Sequence, residues 1–327
     1  MKKIALEEAF AVPGIEKLTP GSLSLREFTQ KMPKLLDLGE ERLQAMDENE
    51  VEISVLSTTC PGIQGIVDAS QEQPLARQWN DYLAEAVARH PTRYRGFAAL
   101  PMRDPEAAAE ELTRAVKELG MVGAMINGYD NSGDNPPTYY DAPEYVDFWK
   151  TAAALDVPVY LHPRTAPAER ITYAGFPEMR GAAWGFHVET GEHVLRMILS
   201  GLFDKVPSAR LVIGHMGELL PYWAWRIDHR IAVEGWDQVA AETGRGRKHT
   251  VTEYLKRNIT ITTSGTFDTP GLVHAISVMG HERVLFSIDY PYEDAREACD
   301  WMDGVDLPYD VKEAIAYTNA KKFLKLA

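Results

Sequence analysis

The sequence predicts a (β/α)₈ barrel. Eight short apolar, β-branched segments recur along the 327 residues. Helical patterns separate them, and polar residues stand at the C-terminal ends of several. Near-continuous apolar runs are what a sheet buried on both faces requires. Strands alternating with helices imply a parallel sheet. A doubly wound sheet is the competing arrangement, but no glycine-rich phosphate turn follows an early strand.

The first segment, 3–8 (KIALEE), is apolar at Ile4, Ala5 and Leu6 and then carries two acids. Alternation along a strand places Glu7 and Ala9 on one face and Glu8 on the other. A carboxylate at the end of an apolar strand is costly unless it is paired or binds a cation. The remaining strand candidates are 52–57, 94–100, 122–127, 157–162, 210–215, 258–263 and 283–289. Leu75, Trp79, Tyr82, Leu83, Ala86 and Val87 follow helical spacing. In 104–120, Asp104 suits an N-cap, Pro105 the first helical position and Gly120 the stop. Tyr145, Phe148, Ala152 and Leu155 form another stripe. So do Val194, Met197, Ile198 and Leu202, ending near Pro207. Two connections are long, 11–40 and 164–187, and both follow strand C-termini, where barrel enzymes hold their sites. The second carries Tyr173, Phe176, Trp184 and Phe186, which suit loop packing, a subunit contact or a substrate contact.

Nothing divides the chain, so residues 1–327 are expected to form one domain. No apolar run approaches the ~20 residues that span a bilayer. Acids interrupt the apolar stretch after the N-terminal lysines, which is unlike a secretion signal. Two cysteines, Cys60 and Cys299, give no disulfide framework. The expectation is a cytoplasmic protein. A net charge of −14 disfavours nucleic acid or an anionic membrane as partner. A small anionic substrate stays open, because a bound dication reverses the local field.

Glu7 and Glu8, Asn127, His162, His215 and Asp289 all fall at strand ends. Each alone has an ordinary structural use: a core histidine, a turn asparagine, a helix-capping aspartate. In a barrel these ends converge on one mouth, where two carboxylates and a histidine suit a divalent cation with open positions. After the sixth strand the chain reads GHMGELLPYWAWRIDHR. If it turns helical at once, His215 and Glu218 share a side, and a carboxylate beside an imidazole fixes its tautomer and raises its pKa. Glu218 suits equally an acid in a first helical turn. Arg226 and Arg230, one turn apart, suit a substrate anion or surface acids, Arg230 the latter. His187, in WGFHVET, falls near the mouth and is left undecided.

The segments ALEEAF, NDYLAEAVARHPTRYRGFAALP, LHPR, WGFHVETGEHVLRMILSGLFDKVP, IGHMGELLPYWAWRIDHR, TTSG and FSIDYPYED follow one another along nearly the whole chain. Together they resemble the metal-dependent hydroxybenzoate decarboxylases of the amidohydrolase superfamily, which include the 2,3-dihydroxybenzoate and 2,6-dihydroxybenzoate (γ-resorcylate) decarboxylases. The resemblance implies a (β/α)₈ fold and one divalent metal held by Glu7, His162 and Asp289. It implies a proton-handling pair, His215 with Glu218, and substrate contacts from Asn127 and Arg226. It also implies a homodimer or homotetramer. Many members carry Glu-x-His on the first strand, whereas this chain has Ala9 at the histidine position, as the 2,3-dihydroxybenzoate enzymes do. Two carboxylates and one histidine favour Mn²⁺ or Mg²⁺ over Zn²⁺.

The reaction this implies is non-oxidative decarboxylation of an ortho-hydroxybenzoate, a small aromatic carboxylic acid. Asp289 is the candidate acid for the ring carbon, and His215 the alternative acid or relay. The other expectation is a lactonase-like hydrolase of the same superfamily, with Asp289 as general base to a metal-activated water.

Overall fold

A computed structural model describes residues 1–18, 25–130, 137–167 and 170–326. Its eight strands are all parallel and follow sequence order around the sheet. They are β1 (Lys3–Phe10), β2 (Val51–Thr58), β3 (Tyr94–Ala99), β4 (Gly123–Asn127), β5 (Val159–His162), β6 (Leu211–Ile213), β7 (Ile259–Thr262) and β8 (Val284–Leu285). Helices cover the outside, as the (β/α)₈ expectation requires. Ile4, Leu6, Ile53, Val55, Phe97, Met125, Tyr160, Val212 and Leu285 fill the barrel interior, joined by Ala320 and Leu324. A larger apolar cluster lies between sheet and helices. Among the described residues no helix is long and apolar enough to cross a membrane.

The helix starts are chemically explicit. Asp104 accepts from the Glu106 and Ala107 N–H groups, and Pro105 opens the helix Pro105–Lys117. Thr250 and Glu253 cap Val251–Asn258 reciprocally. The stripe read as one helix ending near Pro207 is two pieces. Gly185–Leu199 ends, Gly201 turns with φ +74°, and Leu202–Lys205 follows. Residues of the 11–40 connection form the helices Ile15–Leu18 and Leu25–Leu36, and part of it lies outside the described residues.

Two strands are shorter than their apolar patterns. β6 stops at Ile213 and β8 at Leu285, so His215 and Asp289 stand beyond the strands rather than in them. Polar partners explain this. The His215 N–H donates to Ser264 Oγ, and the Ser287 N–H donates to Thr263 Oγ1, so these backbone groups bond side chains instead of a neighbouring strand.

β1 carries a bulge. Ala5 opposes Ser54 but Glu8 opposes Leu56, so one extra residue stands in β1. Strict alternation would send Leu6 and Glu7 to opposite faces. With the bulge, Leu6 packs inside the barrel and Glu7 also points in, to Tyr160, while Glu8 turns outward.

Candidate functional site

Glu7 is 2 % exposed, and its two oxygens have different surroundings. Oε2 accepts from Ser264 Oγ at 2.5 Å and from the Tyr160 hydroxyl, which itself contacts Thr262 Oγ1 at 2.7 Å. Gly214 makes room for this cluster. A Cβ there would meet Glu7 Oε2 at 2.7 Å, Ser264 Oγ at 2.8 Å and the Tyr160 hydroxyl at 3.1 Å. Oε1 is buried and accepts no well-aligned hydrogen bond.

Facing Oε1 is His162 Nε2, 3.1 Å away. His162 Nδ1 lies 2.8 Å from the Pro163 carbonyl, which can only accept, so Nδ1 carries the proton. A neutral ring would then turn an Nε2 lone pair toward a carboxylate oxygen. That arrangement is repulsive unless a proton or a cation lies between them. The ligand atoms of Glu7, His162 and Asp289 all lie within 4.8 Å of one another. This donor set fits a divalent cation: two carboxylates, one imidazole with its tautomer set by a backbone carbonyl, and an orphaned buried oxygen.

His215 closes the group. Its Nε2 is 3.7 Å from both Glu7 Oε1 and Asp289 Oδ2, and its Nδ1 is 2.6 Å from Glu218 Oε1. The helical start expected here does not occur. His215, Met216, Gly217, Glu218 and Leu219 all have positive φ, and the helix begins only at Leu220. Glu218 is therefore no first-turn acid. It is fully buried, and its other oxygen meets His187 Nδ1 at 2.8 Å. His187, His215 and Glu218 also cluster closely enough to ligate, but the carboxylate already bonds both rings.

Electrostatics follow from this geometry. Burial opposes charge on Glu7, but the His215 charge and the His162 contacts outweigh it and hold the carboxyl at about 2. Burial pushes Asp289 up to about 6, the His215 bond opposing and the Glu7 charge adding. Burial disfavours both imidazolium ions as well. Cys60 and Glu7 nevertheless hold His162, and Glu218 and Glu7 hold His215, well above the usual histidine range. These directions belong to the protein alone, and a dication among these groups would displace the His162 proton.

A cavity of about 510 Å³ opens over the cluster, lined by His162, His215 and Asp289 below and by Thr165, Arg180 and Phe186 among its walls. That volume suits a small aromatic ligand. The 164–187 connection supplies much of the wall through the short turn Pro177–Arg180 and through Thr165, Gly181, Ala182 and Phe186. Of its aromatics, Tyr173 and Phe186 are buried and Phe176 and Trp184 exposed. Asn127 pairs with His162 across β4 and β5 and is 1 % exposed. Its N–H donates to Gln64 Oε1, but neither polar atom of its side chain has a partner. An unpaired buried amide costs about 1–3 kcal/mol, and Asn127 is not among the residues that line the cavity.

Arg226 is not part of this group. It is exposed on the helix Leu220–Val233 and does not line the cavity, while Arg230 pairs with Glu234. Sequence reasoning missed Tyr160, which precedes His162 by two residues and so shares its face. It also missed Ser264, inside the TTSG segment, and Arg180, which carries no pattern at all.

Comparison with known proteins places the chain. Residues 40–326 match the amidohydrolase family model. The chain is 44 % identical to a γ-resorcylate decarboxylase from Polaromonas sp., with 99 % of this chain and 98 % of that protein aligned. A 2,6-dihydroxybenzoate decarboxylase solved with 2,6-dihydroxybenzoate superposes with a TM-score of 0.93 at 42 % identity, covering 100 % of both chains. A dihydroxybenzoic acid decarboxylase from Polaromonas sp. JS666, solved with manganese and the inhibitor 2-nitroresorcinol, gives 0.92 at 44 % identity, covering 99 % of this chain and 97 % of that one.

Proposed function

The chain belongs to the amidohydrolase family, and we propose that it is a carboxy-lyase within it, removing CO₂ without oxidation from an ortho-hydroxybenzoate. One observation carries this reading: the orphaned Glu7 Oε1, enclosed by His162, His215 and Asp289 at the floor of a cavity roomy enough for a small aromatic acid. Full-length likeness to γ-resorcylate decarboxylases supports it over the hydrolase alternative.

Glu7, His162 and Asp289 would hold one divalent cation, manganese being present in related structures. When bound, it supplies the positive charge that anchors the substrate's carboxylate and neighbouring phenol oxygen. The chain's own groups do the rest. Expelling CO₂ first would leave an aryl anion, so the ring carbon must be protonated before the carbon–carbon bond breaks. Asp289, ionised where it would hold the cation, first takes a proton from the substrate phenol or water and then delivers it to the ring carbon. His215, oriented by Glu218, is the relay or the alternative donor. As CO₂ leaves, the bonding pair returns to the ring and restores aromaticity. Asn127 belongs to this reading only where the cavity wall opens to its unpaired amide. Arg226 belongs to this reading only across a subunit interface, since it stands outside its own cavity.

The same helix exposes Tyr222, Trp223 and Trp225, with Trp236 beyond it, and these aromatics support self-association as a homodimer or homotetramer. Both cysteines are unpaired and buried, which supports a cytoplasmic location. The deciding experiment incubates Mn²⁺-loaded enzyme with a panel of hydroxybenzoates and lactones and separates the products by chromatography. Phenols appearing only from ortho-hydroxy acids support the reading, and lactone opening without phenol formation would overturn it.

A further inference from the structure

Glu7 and Asp289 stand on opposite sides of the place where the barrel closes. Among the described residues, β1 pairs only with β2 and β8 only with β7, and no ladder joins β8 to β1. Asp289 cannot supply one, because it lies past β8 with φ +77°. Side chains span the seam instead. Ser287 Oγ accepts the Glu7 N–H at 2.6 Å and lies 3.2 Å from Glu8 Oε1. The same Glu8 oxygen accepts the Ile288 N–H at 3.0 Å. One backbone bond, Ala9 N–H to the Tyr290 carbonyl at 2.7 Å, lies just beyond. On its other side Ser287 is tied to β7, its N–H donating to Thr263 Oγ1 and its carbonyl accepting from that hydroxyl.

These bonds bracket the two carboxylates. Glu7 is held through its own N–H, and Asp289 through the N–H of Ile288, the residue before it. Ser287 is fully buried and Glu8 is 2 % exposed. Glu8 faces the layer behind the sheet, with Arg42, Ser54 and Tyr290, so it cannot reach a substrate in the cavity. A role for it at the site must act through Glu7 and Asp289.

We infer that Glu8 and Ser287 are positioning residues that replace the missing ladder and set the spacing of Glu7 and Asp289, and with it the affinity for the dication. This rests on the reading of Glu7 and Asp289 as ligands. Groups that orient metal ligands commonly change affinity by about 10- to 100-fold when removed.

The test is Mn²⁺ binding to the full-length protein by calorimetry, with melting temperature recorded before metal is added. Ser287→Ala and Glu8→Met remove the seam bonds and should each weaken Mn²⁺ binding by about 10- to 100-fold. Glu8→Gln keeps an oxygen acceptor and should bind within about threefold of wild type, a rescue that loss of stability alone would not give. Should Glu8→Met not fold, Ser287→Ala and Glu8→Gln decide. If Ser287→Ala melts lower but binds Mn²⁺ like wild type, the seam is structural only and the inference fails. The ligand reading is tested separately by Glu7→Gln and Asp289→Asn. If those variants bind like wild type the reading itself falls, whereas their loss beside unchanged Ser287→Ala overturns the inference alone.

Discussion

His215 Nδ1 lies 2.6 Å from Glu218 Oε1, and the two residues meet through a left-handed turn. An L-residue at positive φ costs ~1–2 kcal/mol, so this turn persists only because the packing around it is strong. The contact fixes the tautomer that leaves Nε2 facing Asp289 and Glu7. His215→Asn should lose turnover severely with metal content nearly intact. Glu218→Gln should be milder, because only the orientation of the ring suffers. Metal analysis beside single-turnover decarboxylation checks both, and a dead Glu218→Gln beside an active His215→Asn would reverse the assignment.

Asp289→Asn keeps the size of the side chain and one oxygen but cannot deliver a carboxyl proton. Loss of a general acid costs about 10²- to 10⁴-fold, and damage to the cation site should add to that. The expected result is several orders of magnitude lost in single turnover. Near-normal chemistry in this variant, beside a dead His215→Asn that retains its metal, would make His215 the acid.

Chelation should abolish turnover, and Mn²⁺ or Mg²⁺ should restore it. In the protein alone His162 is held well above the ordinary histidine range, so a cation must displace its proton. Affinity for Mn²⁺ should therefore rise with pH, by about tenfold per unit where one proton leaves per ion bound. Calorimetry across pH 6 to 8 measures this, and a flat profile would count against His162 as a ligand.

His193 gives a stability prediction away from the site. It is 1 % exposed, and its Nε2 accepts the Tyr140 N–H at 3.0 Å. Burial, with the Arg196 charge adding, lowers it to about 3. Between the ordinary value of 6.5 and about 3 the unfolded chain binds a proton that the folded chain refuses. The stability from this group is thus complete above pH 6.5 and drains away as pH falls, by up to about 1.4 kcal/mol per unit. His193→Gln keeps an acceptor without titrating, so its stability should fall less between pH 7 and 5. Urea unfolding of both proteins at the two pH values decides, and parallel losses would refute the assignment.

Light scattering should give the mass of a dimer or tetramer at micromolar concentration. Trp223→Glu together with Trp225→Glu should shift it toward the monomer. A wild-type monomer would leave the exposed aromatics of 222–236 without the occupant proposed for them.

The barrel was legible because parallel strands covered on both faces need long apolar runs, and segments such as 157–162 show them. Strand ends were less so. Residues 286–289 read as strand, yet their backbone groups bond to side chains and distant carbonyls such as that of Ile315. No local pattern encodes a choice made in three dimensions. The bulge that turns Glu7 inward left no mark in KIALEE either. Spacing correctly paired His215 with Glu218, but through the wrong backbone, since Gly217 alone hints at a left-handed run. Arg226 was placed by motif, and the motif does not say which way a helix turns its face; Arg226 is exposed and does not line the cavity.

Gly214 carries a consequence for inheritance. The seat of Glu7 exists because residue 214, across the barrel, has no side chain. The oxygens a methyl group would strike are bound to one another, so none yields separately. Positions 7 and 214 thus form a locked pair in the mutational landscape. A shorter acid at 7 opens space that only a larger residue at 214 fills, and a larger residue at 214 evicts the acid. A library that varies position 214 alone therefore samples mostly variants in which the seat of Glu7 is blocked.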